Sequence, residues 1–254
     1  MSFQSLLAHF YKLTGIEFTD NIDIVNKKVI RFYEEKGFTD YHDFFAAIKN
    51  DYELYQDLVN LLTTSETYFY RELAQIKICI ENIKDKGTNI KILSAPCASG
   101  EEPYSLLIAM LEANIDLNKI QIHAIDINTQ EIQKAKKGIF TLRRLHKLPT
   151  GLQTKYFNPI GDNEFQIRPE LQKHVHFRQM NLFDPFPPEF SNFDVIFSRN
   201  MLIYFDKKAQ EQSEKIFYEK LALGGLLFLG HADKIHHVTA LEKKMQQGTH
   251  YYIR

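Results

Sequence analysis

Between Ser2 and about Leu73 apolar residues recur at helical spacing, as in "DFFAAIKNDYELYQDLVNLL", where Leu54, Leu58, Leu61 and Leu62 share one stripe. The pattern predicts several short helices. Lys36-Gly37 reads as a helix end, with Thr39 or Asp40 placed to cap the next helix. After Arg71 the texture changes. A helix over "AQIKICIENI" and a turn at "KDKGTN" lead into short apolar runs, "KILSA", "IQIHAID", "VHFRQM", "FDVIFSR" and "GLLFLG". These alternate with helical patterns at "PYSLLIAMLEA", "TQEIQKAKKG" and "KKAQEQSEKIFYEKL". Such alternation predicts βαβ units and a parallel sheet with helices on both faces. "THYYIR" is expected to add a last strand at an edge. Residues 141–172 break the rhythm: "FNPIGDNEFQIRP" reads as a short hairpin turning at Gly161-Asp162-Asn163, inside an insertion.

With 254 residues, 44% of them hydrophobic, the chain is long enough for a sizeable core, as one large domain or a small one beside a medium one. A formal net charge of -1 gives no global field that favours nucleic acid or an anionic membrane. The balance is uneven: residues 1–75 carry 7 Lys/Arg against 12 Asp/Glu, leaving 24 against 20 in the remainder. Cys79 and Cys97 are too few for a disulfide framework and lack zinc-site spacing, which fits a reducing cytoplasm. No apolar stretch approaches the ~20 residues a bilayer span needs, and "MSFQSLLAHF" lacks a basic leader region and cleavage site.

Candidate chemistry begins in "ILSAPCASGEEPYSLLI" (92–108), where a strand pattern turns into a helix pattern. In an open parallel sheet ligands bind beyond the carboxyl ends of the strands. The small residues Ala95, Ala98, Ser99 and Gly100 suit close approach of backbone to a ligand. Glu101 and Glu102 at the helix start would repel a pyrophosphate, so the ligand is neutral or cationic there. Two readings of Glu102 stay open. In one, Ser99 and Glu102 form a capping box; in the other, Pro103 occupies the first helical position and Glu102, preceding the helix, faces the loop. Asp126, closing "IQIHAID", is placed to accept hydrogen bonds from both hydroxyls of a ribose, or to cap the helix that starts near Asn128 and Thr129.

These stretches together resemble the chemotaxis receptor methyltransferases, the CheR family. "LLTTSETYFYRE" (61–72) is similar to the family's L-T-T-N-x-T-x-F-F-R-E, and "SAPCASGEEPYSL" to S-A-G-C-S-T-G-E-E-P-Y-S-L. "AIDINTQEIQKAKKGIF" resembles the D-I-D stretch ending in A-x-x-G-x-Y. "FDVIFSRNMLIYFDKKAQ" and "GGLLFLGHAD" follow in the family's order. The resemblance implies a small all-helical N-terminal domain (1–74), a Rossmann-like class I S-adenosylmethionine-dependent methyltransferase domain (75–254), and a small antiparallel β-subdomain inserted at about 141–176. It implies methylation of glutamate side chains of membrane chemoreceptors to γ-glutamyl methyl esters, with S-adenosyl-L-homocysteine as second product. The partner would be the receptors' cytoplasmic domain, and the enzyme a cytoplasmic monomer that inserts into no membrane and binds no nucleic acid. By position, Ser65, Thr67 and Arg71 would close over the cofactor; Glu102 and Asp126 would line its amino-acid and ribose portions. Asn181 and Leu182 would line the adenine, and Arg199 and Asn200 would form the loop beneath. Arg71 would orient the incoming carboxylate and Tyr204 would stand near the methyl group. Their bland alternatives are a surface ion pair of Arg71 with Glu66 or Glu72, and a core aromatic at Tyr204.

Three departures bear on function. Ser65 replaces a frequent Asn; Pro96 replaces a loop glycine and removes an N–H; and the helix "NKKVIRFYEEKG", basic in the family, keeps only Lys27, Lys28 and Arg31. A methyltransferase acting on another protein carboxylate, a nitrogen or a small molecule, and a non-catalytic module that binds the cofactor or its product, are the alternatives. "SRNMLIY" after the fourth strand lacks the N/D-P-P-Y loop of N-methyltransferases. The pairs His174/His176 and His236/His237 have no third ligand at metal spacing, so no metal is expected.

Overall fold

The computed structural model describes residues 2–19, 22–63, 66–87 and 89–254. Four helices come first: α1 Phe3–Thr14, α2 Ile22–Glu35, α3 Tyr41–Ile48 and α4 Tyr52–Leu62. Their apolar stripes meet in one cluster around Leu6, Phe10, Val29, Phe44, Leu58 and Val59. Asp40 and Asp51 cap α3 and α4, accepting hydrogen bonds from His42 and Asp43 and from Leu54. Asp40 is thus the cap left open between it and Thr39.

From α5 (Leu73–Ile83) onward strands and helices alternate: β1 Ile90–Ser94, α6 Glu101–Glu112, β2 Ile120–Asp126 and α7 Thr129–Lys137. The insertion follows, with β3 Ile139–Thr141, α8 Leu142–Leu145, α9 Thr150–Tyr156, β4 Phe157–Gly161, β5 Glu164–Ile167 and α10 Pro169–Gln172. Then come β6 Val175–Gln179, β7 Phe193–Ser198, α11 Lys207–Lys220, β8 Leu221–Leu229, β9 Glu242–Gln246 and β10 Thr249–Ile253. Among the described residues the main sheet has the order β6-β2-β1-β7-β8-β10-β9, and β3-β5-β4 form a small antiparallel sheet. The expected hairpin at 157–167 is therefore joined by a third strand, β3, whose Phe140 lies opposite Phe165.

β6, β2, β1, β7 and β8 run parallel. Their side chains alternate between two cores: Ile92, Ile122, Val195 and Phe228 face one cluster with α5, α6 and α7, while Leu93, Ile125, Ile196 and Leu227 face another with α11. This two-sided burial explains why β1, β7 and the second half of β8 read as apolar runs, whereas β6, at one edge of the sheet, keeps His176 and Arg178 exposed. One expectation is corrected at the far end. β10 pairs with both β8 and β9, so "THYYIR" is internal and β9 is the edge. β9 carries the polar sequence "EKKMQ" and is largely exposed, as suits an edge strand. Gln247 and Gly248, both at positive φ, make its tight turn to β10.

The chain turns to opposite sides of β1: β2 and β6 lie on one side, β7 and β8 on the other. The carboxyl end of β1 is therefore the switch point where such sheets bind ligands.

Candidate active site

Glu101 and Glu102 stand at that switch point, and the structure shows what each holds. α6 begins at Glu101 with Gly100 as its N-cap, so Glu102 is the second helical residue and Pro103 the third. Neither sequence reading of this junction holds in full. The Ser99 hydroxyl donates to the Glu101 carboxylate (2.8–2.9 Å) rather than closing a capping box. Glu102 does not precede the helix, because a third-position N–H has no intrahelical acceptor and Pro103 costs nothing there. Gly100 also has a packing task. At φ +97°, an added Cβ would lie 3.0 Å from the Cβ of Ala135 and 3.2 Å from Phe177 and Tyr104, so its smallness serves helix packing.

Each carboxylate holds an arginine. The Glu102 Oε2 accepts from Arg199 Nε at 2.6 Å, and its Oε1 accepts from the Ser94 hydroxyl at 2.6 Å. Glu101 pairs with Arg144 Nε at 3.5 Å; burial raises its carboxyl above the usual range, opposed by the Ser99 hydroxyl and Arg144. Both arginines reach onward to the backbone of one segment, 66–72. Arg199 Nη1 donates to the Arg71 carbonyl at 2.7 Å, Arg144 Nη1 donates to the Thr67 carbonyl, and Phe69 N–H donates to the Arg144 carbonyl at 2.9 Å. The segment is thereby fastened to the start of α6 by two charged clamps. Its backbone is bent: Tyr70 and Glu72 adopt positive φ.

The other end of this strap is fixed over β2. Asn128 Nδ2 donates to the carbonyls of Asn60 and Thr63 at 3.2 Å, and Gln56 Nε2 donates to the Ile127 carbonyl at 2.9 Å. The described parts of 56–72 thus run from the end of β2 to the end of β7. Ser65 lies outside the described residues. Arg144→Ala is expected to quicken amide exchange across 66–72 at least tenfold while the sheet's protection is unchanged; equal exchange would show that the strap is held without it.

Asp126 closes β2 and is buried. Its Oδ2 accepts from Ala98 N–H at 2.8 Å and its Oδ1 from Asn128 N–H at 2.9 Å, which leaves lone pairs on both oxygens. Asn128, not Asp126, caps α7 by accepting from Glu131 N–H. Burial pushes the Asp126 carboxyl up to about 6, against those backbone hydrogen bonds.

The remaining candidates sit around the same rim. Thr67 is buried, and Arg71 is half-buried with Nη1 on the Glu66 carbonyl (2.6 Å) and its guanidinium 5.9 Å from the Tyr68 ring centre. That contact is with a backbone carbonyl, not the ion pair weighed for Arg71. Tyr204 is 54% exposed, so it is no core aromatic; its carbonyl accepts from Glu17 N–H. Leu182 is buried. The Asn181 side chain is engaged, donating to the Leu13 carbonyl (2.6 Å) and accepting from Phe183 N–H. Asn200 has φ 58° and donates its N–H to Asp233 at 2.7 Å.

Sequence reasoning missed Arg144, Asp233 and the Gln56/Asn60 pair. Asp233 gathers the N–H groups of Asn200, Ile203 and Gly230 and so ties the loop after β7 to the one after β8. Its place in "GHAD" was a signal; Arg144 had none, since its partners are remote in sequence.

An adenosylated sulfonium fits this rim on two structural grounds. Asp126 has free acceptor capacity for a diol. Glu72 Oε2, 3.8 Å from Arg199 Nη1, and Ser198 Oγ, next in sequence to Arg199, are buried without a hydrogen-bond partner among the described residues. A polar ligand would complete them.

Residues 65–251 match the family model described as CheR methyltransferase, SAM binding domain. The chain is 36% identical to chemotaxis protein methyltransferase 2 of Vibrio cholerae, over 96% of this chain and 90% of that one. It is 34% identical to the chemotaxis protein methyltransferase of Campylobacter jejuni, over 95% and 91%. Among solved structures it is similar to the methyltransferase yhhF of Escherichia coli, described as putative, at 10% identity over 76% of this chain and 89% of that one, with a TM-score of 0.41.

Proposed function

The chain belongs to the CheR methyltransferase family, and from that membership we propose that it methylates glutamate side chains of membrane chemoreceptors to γ-glutamyl methyl esters in chemotactic adaptation. It is a methyltransferase whose cofactor is S-adenosyl-L-methionine. The same reading takes it to act in the cytoplasm as a monomer on the receptors' cytoplasmic part; among the described residues no helix is long and apolar enough to cross a membrane. The structural observation that supports this best is Arg199, which joins the Arg71 carbonyl to the Glu102 carboxylate at the switch point.

S-adenosylmethionine supplies an electrophilic methyl group. A glutamate carboxylate is ionised at neutral pH and is itself the nucleophile, so the protein's task is positioning and exclusion of water rather than proton removal. Asp126 would accept the ribose hydroxyls, Thr67 would lie in the cover, and Asn181, Leu182 and Asn200 would line the remaining walls; the role expected of Ser65 falls outside the described residues. Glu102, already shared between Ser94 and Arg199, faces the amino-acid portion through that pair. Arg71 would hold the incoming carboxylate by two-point contact once its guanidinium leaves the Glu66 carbonyl, and the exposed Tyr204 side chain would turn its hydroxyl to the reacting group.

The test is transfer of radiolabelled methyl to a receptor cytoplasmic fragment, with alkali releasing labelled methanol. Arg71→Ala is expected to lower kcat roughly 100-fold while S-adenosylhomocysteine affinity changes less than tenfold. Label that resists alkali, or none on any receptor fragment, would contradict the ester product.

A further inference from the structure

α8 and the turn after it present a cationic face that the mechanism does not use. Residues 142–150 contain Arg143, Arg144, His146 and Lys147 and no carboxylate. Arg144 points inward to Glu101 and Thr67. Arg143, His146 and Lys147 are exposed, and among the described residues neither Arg143 nor Lys147 pairs with a carboxylate. The face is continuous with the site: the His146 ring lies 4.9 Å from the Tyr68 ring, over which the Arg71 guanidinium also sits. The Arg144 clamp makes the attachment firm, because its side chain and main chain both bind the strap. By contrast α2 carries no net charge. Lys27, Lys28 and Arg31 are matched there by Asp23, Glu34 and Glu35, and Arg31 is paired with Glu35 at 2.8 Å.

We propose that Arg143, His146 and Lys147 form the docking rim for the acidic segment of the substrate protein that carries the accepting glutamate. This rests on the reading above that the acceptor is a glutamate side chain. An unmodified acceptor segment carries at least that ionised carboxylate, and esterification removes the charge. A cationic rim next to Arg71 therefore attracts substrate more than product, steering the segment in and loosening it after transfer. With α2 neutral, α8 supplies that field in this chain.

The experiment compares the wild type with Arg143→Glu/Lys147→Glu and with Lys27→Glu/Lys28→Glu, in two measurements. The first is steady-state methylation of a receptor cytoplasmic fragment at 50 mM and 500 mM salt. The rim variant is expected to raise KM about tenfold at low salt and much less at high salt, with kcat and S-adenosylhomocysteine affinity unchanged and the α2 variant within about twofold of wild type. The second is fluorescence-anisotropy binding of a labelled glutamate-rich helical peptide and its γ-methyl ester, which reads docking whether or not methyl is transferred. The wild type is expected to prefer the free acid, and the rim variant to lose that preference. Unchanged peptide binding in the rim variant, or a larger loss in the α2 variant, overturns the docking site and leaves the glutamate reading intact. Peptide binding that depends on the rim, without methyl transfer by the wild type, overturns the glutamate reading and leaves the docking site.

Discussion

Replacing Arg199 with Met is expected to destabilise the protein by about 3–5 kcal/mol, because the change strands a buried carboxylate. Glu102 would keep only the Ser94 hydroxyl, having lost the guanidinium that now sits 2.6 Å away in a position almost closed to solvent. In a domain of this size the loss corresponds to a fall in Tm of about 10 °C. The same arginine donates to the Arg71 carbonyl, so the strap is released as well, and affinity for S-adenosylhomocysteine should fall with it. The double variant Glu102→Gln/Arg199→Met separates the two effects. It removes the stranded charge and should regain half or more of the lost stability, yet it restores no donor to the strap and should regain none of the affinity. Differential scanning calorimetry and isothermal titration read the two quantities. A Tm change under about 2 °C in Arg199→Met would show that the pair holds nothing together.

Asp126→Ala is expected to weaken S-adenosylhomocysteine binding about 100-fold, since each hydrogen bond from a ribose hydroxyl to an ionised carboxylate is worth roughly 1.5–3 kcal/mol. A pH dependence follows from the burial of this group, with opposite signs for folding and for binding. The carboxyl rises from 3.8 to about 6 on folding. A raised acid stabilises the fold fully below its unfolded value and loses that contribution as pH climbs through the folded one, so the ligand-free protein should lose on the order of 3 kcal/mol between about pH 4 and 6. Ribose hydroxyls donate to the ionised form, so binding should tighten as pH rises through about 6 and then level off. Asp126→Asn should abolish both trends. Binding that is flat from pH 5 to 7 in the wild type would exclude Asp126 as the ribose acceptor.

Much of the sheet was legible because β1 and β7, and the later parts of β2 and β8, are buried on both faces and largely apolar there. β9 was not, because an edge strand facing water has the composition of a loop. β3 was hidden because it has three residues and continues a helical pattern. At the site, the adjacency of Glu101 and Glu102 pointed to the switch point but gave no sign of the arginines that each holds. The sequence pattern assigns a carboxylate to a ligand as readily as to an arginine, and only the tertiary fold brings Arg199 and Arg144 to them. Pro103 misled for a related reason: a proline needs no N–H acceptor at any of the first three helical positions, so it marks a helix start only to within a turn. The place of Asp126 at the end of β2 was legible, because the apolar run that precedes it stops there.

The most direct test is a crystal structure of the protein with S-adenosylhomocysteine. The expected result is the ligand at the carboxyl ends of β1, β2 and β7, both ribose hydroxyls within hydrogen-bond distance of Asp126, and the 66–72 strap still fastened by Arg144 and Arg199. A ligand bound elsewhere, or bound there with Asp126 making no contact to the ribose, would contradict it.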